Sequence, residues 1–197
     1  MGPIGVLALQ GDFREHLAVL SSLSVATRAV KKSSDLEGLS GLVIPGGEST
    51  VIDKLSRTFE LANPIRKLIH EGFPVFGTCA GLIMLADKVA DGIEGQQTLG
   101  GLDVLVRRNA FGSQVDSFEG DVLFNSEVLR VAFIRAPIVE QVGSNVQVLS
   151  RLASGQIVAV RQGNLLGISF HPEITGVTKV HEYFVDMCTQ ANFQETN

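Results

Sequence analysis

Phe73-Pro-Val-Phe-Gly-Thr-Cys-Ala-Gly-Leu82 is the stretch on which the reading of this 197-residue chain turns. Residues 73–77 are an apolar run of the kind that forms a buried strand, and the pattern from Ala80 to Leu85 starts a helix. A strand that passes through a tight turn into a helix is the repeating unit of a parallel α/β sheet. Cys79 occupies the tip of the turn, with Gly77 and Gly81 at i−2 and i+2, where a side chain would clash in so sharp a bend. The arrangement is the cysteine counterpart of the Gly-x-Ser-x-Gly nucleophile elbow. A sulfur at a helix N-terminus is favoured as the thiolate, its reactive form. The Ala80 N–H would then face a developing oxyanion. Taken alone, the same residues also fit a small buried cysteine with glycines for packing.

Upstream the pattern repeats. Residues 4–9 form a compact apolar run ended by Gln10-Gly11-Asp12, and residues 13–23 place Phe13, Leu17, Leu20 and Leu23 on one helical face. Residues 27–30 read as a second strand, 33–39 as a helical turn, and 41–44 as a third strand running into Pro45-Gly-Gly-Glu-Ser-Thr50. Asn63-Pro64 predicts a helix start, with the helix reaching Glu71. Downstream, residues 117–124, 129–134, 146–152, 156–162 and 165–170 are strand-like, with Gly163-Asn164 as a hairpin signal. Residues 178–188 predict a closing helix and 190–197 a polar, frayed tail. The expected fold is α/β: a flavodoxin-like, doubly wound, mostly parallel sheet with helices on both faces and an antiparallel extension. With no repeat, linker or low-complexity segment, residues 1–197 are expected to form one domain.

A nucleophilic thiolate needs a base, and His171 follows the apolar run Leu165-Leu-Gly-Ile-Ser-Phe170 directly. Glu173, two residues on across Pro172, is expected on the same side of an extended segment, where its carboxylate would fix the imidazole tautomer. A lone His-Pro-Glu also fits a surface loop. A strand-end His-x-Glu together with a strand-end Gly-x-Cys-x-Gly is the stronger signal. His16, His70 and His181 lie within helical patterns and are expected to be structural or solvated; Cys188 falls on the apolar face of the last helix. No Cys/His pairs have metal-ligand spacing, so no metal is expected. Pro45–Thr50 lacks the Gly-Lys-Ser/Thr of a phosphate loop, but Gly46-Gly47 at a sheet edge can turn a backbone N–H inward. The Gly47 N–H would be a second oxyanion donor and Glu48 could meet a substrate ammonium; a plain turn before a helix is the competing reading.

Composition narrows the partners. Sixteen Lys and Arg against 21 Asp and Glu leave a net charge of −5, which argues against a nucleic-acid or anionic-membrane surface. There is no Trp and one Tyr, so little material exists for base stacking. The N-terminus lacks the basic n-region and long apolar core of a signal peptide, and no stretch approaches a membrane span. Two cysteines 109 positions apart make a poor disulfide framework, so a cytoplasmic thiol protein is expected. Glycine, 21 of 197 residues, is in excess and points to turns under steric demand.

These motifs together resemble a class I glutamine amidotransferase with a Cys-His-Glu triad. Val6-Leu-Ala-Leu-Gln-Gly-Asp-Phe-Arg-Glu-His16, Pro45–Thr50, Gly77-Thr-Cys-Ala-Gly-Leu82, Arg108-Asn-Ala-Phe-Gly112, Phe133-Ile-Arg-Ala-Pro137 and Phe170-His-Pro-Glu173 narrow the resemblance to the PdxT/SNO family, the glutaminase subunits of pyridoxal 5′-phosphate synthase. The matches span nearly the whole chain in order. The resemblance implies hydrolysis of L-glutamine to L-glutamate and ammonia through a thioester on Cys79, with His171 as general base and acid and Glu173 as its orienter. It implies a glutamine pocket lined by Gly47, Glu48, Ser49, Arg108, Ile134 and Arg135, an oxyanion site at Gly47 and Ala80, and no cofactor. Arg108 suits the substrate carboxylate because its guanidinium is a fork-shaped donor, although a surface arginine is the plainer alternative. The implied partner is a (β/α)₈ synthase subunit that receives the ammonia, uses a pentose phosphate and a triose phosphate, and activates the glutaminase on docking. The chain departs from the family at Phe111-Gly-Ser-Gln114, where Ser113 replaces the usual Arg. Two other readings stand beside this one: a different cysteine hydrolase on a similar sheet, and a regulatory subunit that has kept the fold without the chemistry.

Overall fold

The computed structural model describes residues 1–110 and 117–194, with side chains to residue 191. In chain order the first half runs β1 (Ile4–Leu7), α1 (Phe13–Ser22), β2 (Thr27–Val30), a 3₁₀ turn (Ser33–Leu36), β3 (Gly41–Ile44), α2 (Ser49–Thr58), α3 (Ala62–His70), β4 (Val75–Thr78) and α4 (Ala80–Leu85). The second half runs β5 (Ala86–Val89), β6 (Leu102–Arg107), β7 (Ser117–Phe124), β8 (Glu127–Ile134), β9 (Ile138–Val142), β10 (Gln147–Arg151), β11 (Ile157–Gln162), β12 (Leu165–Ile168), α5 (Pro172–Thr175) and α6 (Lys179–Gln194).

The main sheet has the order β2-β1-β3-β4-β12-β11-β9-β6-β5, with β10 paired to β11. From β2 to β12 every pairing is parallel, and β11 and β9 then run antiparallel to their neighbours. This is the expected doubly wound sheet with an antiparallel extension. The hairpin β7–β8 forms a separate two-stranded sheet. The Gly163-Asn164 turn joins β11 to β12, pairing Gln162 with Leu165, as the sequence predicts.

Side chains alternate between the two faces of a strand, so each parallel strand feeds two cores. In β3, Leu42 and Ile44 join one core and Val43 the other. In β4, Val75 and Phe76 divide the same way. The first core takes Ile52 of α2, Ile65 and Ile69 of α3, and Leu82 and Leu85 of α4. The second takes Leu20 of α1, Val180, Phe184 and Met187 of α6, and Val131 and Phe133 of β8. Each such fully buried side chain contributes about 2 kcal/mol of transfer free energy.

Several sequence expectations change. The helix predicted with Asn63 as N-cap begins two residues earlier, at Ala62, with Leu61 as its N-cap; Pro64 remains in the first turn, where a missing N–H costs nothing. Residues 190–194 continue α6 rather than fraying, because Val180, Phe184, Met187 and Cys188 anchor the helix in the core. Pro172 and Glu173 are not extended: Pro172–Thr175 is a single helical turn, with His171 as its N-cap and proline in the position where its fixed φ suits a helix start. The strands β5, β6 and β9 are additions to the pattern expected from the sequence. Ser113 lies outside the described residues. Among the described residues no helix is long and apolar enough to cross a membrane.

Candidate active site

The carboxyl ends of four parallel strands converge at one edge of the sheet, where ligands bind in open α/β folds. Gln10 and Asp12 follow β1, Gly46 to Ser49 follow β3, Cys79 follows β4, and His171 follows β12. Residues far apart in the chain therefore meet because parallel strands end together.

Cys79 has φ 50° and ψ −102°, a conformation that L-residues seldom adopt, and it caps the N-terminus of α4. That backbone is held by close packing on both sides. A Cβ at Gly77 would come within 2.5 Å of the Gly81 carbonyl, and one at Gly81 within 2.0 Å of the Ile44 carbonyl oxygen. The glycines flanking the cysteine are thus sterically required, and the strain is stored where the sulfur is displayed. The Cys79 N–H donates to the Ile168 carbonyl at 2.8 Å, tying the elbow to the strand that leads to His171. The thiol lies 3.8 Å from the Ile134 carbonyl oxygen.

His171 is buried and its backbone N–H donates to the Ala132 carbonyl at 2.8 Å, so β8 clamps it from the side. Its Nδ1 donates to Glu173 Oε1 at 2.7 Å. The one-turn helix α5 is what folds Glu173 back beneath the ring. Burial alone lowers the basicity of His171, but hydrogen bonds and charge from Cys79 and Glu173 outweigh it and raise its pKa to about 10. Burial pushes the Glu173 carboxyl above its ordinary value, with His171 pulling the other way. An imidazole beside a sulfur, held by a carboxylate on its other side, is the arrangement of a base that serves a nucleophile.

A pocket of about 230 Å³ opens in front of these groups. Its wall contains Cys79, Ala80 and His171 together with Gly47, Glu48, Ser49, Arg108, Ile134 and Arg135. Glu173 is behind His171 and does not reach the pocket. Gly47 has φ 144°, and the adjacent Glu48 N–H donates to Gln10 Oε1 at 2.9 Å. Arg135 also has a left-handed backbone, with φ 44°. Arg108 Nη2 donates to Glu48 Oε1 at 2.9 Å. A larger depression of about 550 Å³ beside α2, lined by Asp53, Arg57 and Gln96 among others, contains neither thiol nor imidazole, so chemistry rather than size selects the smaller one.

The structure adds residues to which the sequence alone assigns no role. Gln96 donates to Ser49 Oγ at 3.0 Å and accepts from Arg108 Nη1 at 3.3 Å, bridging two pocket residues. Asp53 fixes the segment that carries Gln96, accepting from the Gln97 N–H at 3.1 Å. Asp12 approaches His171 Nδ1 to 3.6 Å. Gln10 and Asp12 lie in the Gln-Gly-Asp motif, which is their signal in the sequence; Gln96 has none. Among the described residues, Asp12, His171 and Glu173 form the cluster of side chains whose spacing would suit a metal. In it His171 Nδ1 is already bonded to Glu173, so an ion would have to break the shortest contact in the cluster. His70 is exposed; Cys188 is fully buried near the opposite end of the sheet, where its sulfur faces Gly41.

The SNO glutamine amidotransferase family model matches residues 6–190. Pyridoxal 5′-phosphate synthase subunit PdxT of Nocardioides sp. (strain ATCC BAA-499 / JS614) is 58% identical over 193 residues, covering 95% of this chain and 96% of the relative. The protein of the same name from Leifsonia xyli subsp. xyli is 59% identical over 185 residues, covering 92% and 93%. A crystal structure described as a glutamine amidotransferase superposes with a TM-score of 0.90 at 46% identity, covering 95% of this chain and all of the other. The structure of PurLQS from Thermotoga maritima shares the fold, with a TM-score of 0.66 at 17% identity, covering 94% of this chain and 99% of the other.

Proposed function

The chain belongs to the SNO glutamine amidotransferase family, and from that premise we propose that it hydrolyses L-glutamine to L-glutamate and ammonia at Cys79, supplying the ammonia to the synthase subunit that makes pyridoxal 5′-phosphate. The observation that carries the reading is the placement of His171 between Cys79 and Glu173, in a pocket that the ion-paired Glu48 and Arg108 also line.

The proposed sequence of steps follows from these groups. The Cys79 thiolate attacks the carbon of the glutamine side-chain amide, and the carbonyl oxygen becomes an oxyanion stabilised by backbone N–H groups, with Ala80 and Gly47 as the proposed donors. Protonated His171 gives its proton to the amide nitrogen; the C–N bond breaks, ammonia leaves and a glutamyl thioester remains. Neutral His171 then takes a proton from water, whose oxygen attacks the thioester. The second tetrahedral species expels the thiolate, releasing glutamate and restoring the ion pair. Glu173 holds the imidazole orientation throughout. Glu48 and Arg108 receive the ammonium and carboxylate of the substrate, with Ser49, Ile134 and Arg135 completing the pocket.

The same reading takes residues 1–197 as one class I glutamine amidotransferase domain in the cytoplasm, docking on a (β/α)₈ synthase subunit. It calls on no cofactor and no metal. The test is ammonia release from glutamine with and without that synthase subunit. Release that rises on adding the synthase and is abolished in Cys79→Ala supports the reading; release that persists in a folded Cys79→Ala variant overturns it.

A further inference from the structure

Behind the triad, on the core side of the sheet, lie two fully buried histidines that the proposed chemistry does not use. His16 comes from α1 and His181 from α6, and both rings pack edge-on against Phe76. His16 Nδ1 is 2.8 Å from His181 Nε2, and His16 Nε2 is 3.1 Å from Thr78 Oγ1. The same Nε2 is 3.6 Å from Glu173 Oε1, the oxygen that holds His171.

The hydrogen-bond inventory selects a tautomer for each ring. His181 Nδ1 has no partner among the described residues. If it carried a proton, a buried N–H would be left unsatisfied, at a cost of about 1–3 kcal/mol. Placing the His181 proton on Nε2 leaves only a lone pair unpartnered, and Nε2–H then donates to His16 Nδ1. His16 in turn carries its proton on Nε2 and points it at Thr78 Oγ1 and Glu173 Oε1. The opposite arrangement would aim a His16 lone pair at a buried carboxylate. The contact is with Oε1, the oxygen that also accepts from His171 Nδ1, so the His16 N–H dipole adds to the field that keeps that oxygen an acceptor.

We propose that His16, held in one tautomer by His181, is a positioning residue for the Cys79–His171 pair. Its Nε2–H binds Thr78, the residue immediately before the nucleophile, and presents a dipole to Glu173, the residue that orients the base. One side chain from α1 therefore fixes the elbow and the triad carboxylate relative to each other. The role is electrostatic and geometric: at 3.6 Å the contact with Glu173 is too long for a hydrogen bond, and His16 touches neither glutamine nor the sulfur.

This inference rests on the glutaminase reading, and its test separates the two. Steady-state ammonia release is measured on the complex with the synthase subunit for the unmodified chain, His16→Leu, His16→Gln and His181→Leu. His16→Leu keeps the volume and removes the donor; kcat should fall at least about tenfold, the scale expected when catalytic groups are misplaced by a fraction of an ångström, while KM stays within about twofold. His16→Gln places an amide N–H where Nε2 stood and should recover most of the lost kcat. His181→Leu leaves His16 without its tautomer-fixing donor and should lower kcat severalfold with KM unchanged, which keeps the test decisive if His16→Leu does not fold. Unaltered kcat in folded His16→Leu or in His181→Leu overturns the inference, as does equal loss in His16→Leu and His16→Gln. Failure of the unmodified complex to release ammonia overturns the glutaminase reading itself.

Discussion

Arg108 Nη2 donates to Glu48 Oε1 at 2.9 Å, so the two charged groups that would take opposite ends of a zwitterionic amino acid are paired with each other. Arg108 is nearly buried, its side chain 11% exposed, whereas Glu48 is 42% exposed. Glutamine entering this pocket would replace one ion pair by two, the substrate ammonium with Glu48 and the substrate carboxylate with Arg108. Gln96 keeps the guanidinium in place meanwhile, accepting from its Nη1.

Arg108→Ala should therefore raise KM for glutamine by about 10- to 100-fold, the equivalent of losing one charge-assisted hydrogen-bonded pair of about 1.5–3 kcal/mol. Arg108→Lys should recover little, since an ammonium does not reproduce the bidentate fork. Glutaminase kinetics in the synthase complex measure both. An unchanged KM in Arg108→Ala would remove this residue from the pocket.

Glu173 and His171 should differ in severity. His171→Asn should cost as much as the loss of Cys79, because nucleophile and base act as a unit. Glu173→Gln keeps the shape and loses the charge, so kcat should fall by about 10²-fold or more yet remain above the level of the cysteine variant. Measuring kcat for all three variants checks the order; a complete loss in Glu173→Gln would mean that the carboxylate does more than orient.

A glutamine-like electrophile should label Cys79 and spare Cys188. The Cys79 sulfur lines the pocket, whereas Cys188 is fully buried and burial pushes its thiol up to about 12. Peptide mapping after brief exposure reads the site, and preferential labelling of Cys188 would contradict the assignment.

Stability should fall on acidification over a defined window. Burial lowers the pKa of His16 well below its ordinary value, helped by the neighbouring His181 and His171, and burial takes His181 from 6.5 to about 4. The unfolded chain binds these protons first, so their contribution is full above pH 6.5 and is lost as pH drops towards 4. His181 alone corresponds to about 3 kcal/mol at roughly 1.4 kcal/mol per pKa unit. His171 has the opposite sign: its raised pKa contributes fully below 6.5 and its contribution is lost as pH rises through about 10. Denaturant unfolding from pH 7 to pH 4 should show the acid loss, and His181→Leu should flatten it. Equal slopes in both proteins would contradict the neutral, buried state of the pair.

Much of the fold is legible in short stretches of chain, for identifiable reasons. The strands β1, β3, β4 and β12 are short, fully buried runs, each ended by a turn motif, so most of the parallel half of the sheet can be placed locally. Gly77 and Gly81 announce the elbow because no other residue fits there. The strands β5 and β6 are harder. Ala86-Asp-Lys-Val89 continues from α4 with no turn residue between them and has two exposed positions of four, so neither an apolar run nor a break marks it. The turn at α5 reads as extended chain because four residues are too few to show a period. His16 and His181 read as helix residues, and they are; their contact with each other spans 165 positions, which no local pattern carries.

The most direct test of the central claim is to mix the synthase-bound protein with glutamine, quench with acid within the first turnovers and map any adduct by mass spectrometry. A glutamyl thioester is expected on the peptide carrying Cys79, accumulating when water attack is slowed and absent in Cys79→Ala. Steady ammonia release with no adduct on Cys79, or with the adduct on Cys188, would contradict it.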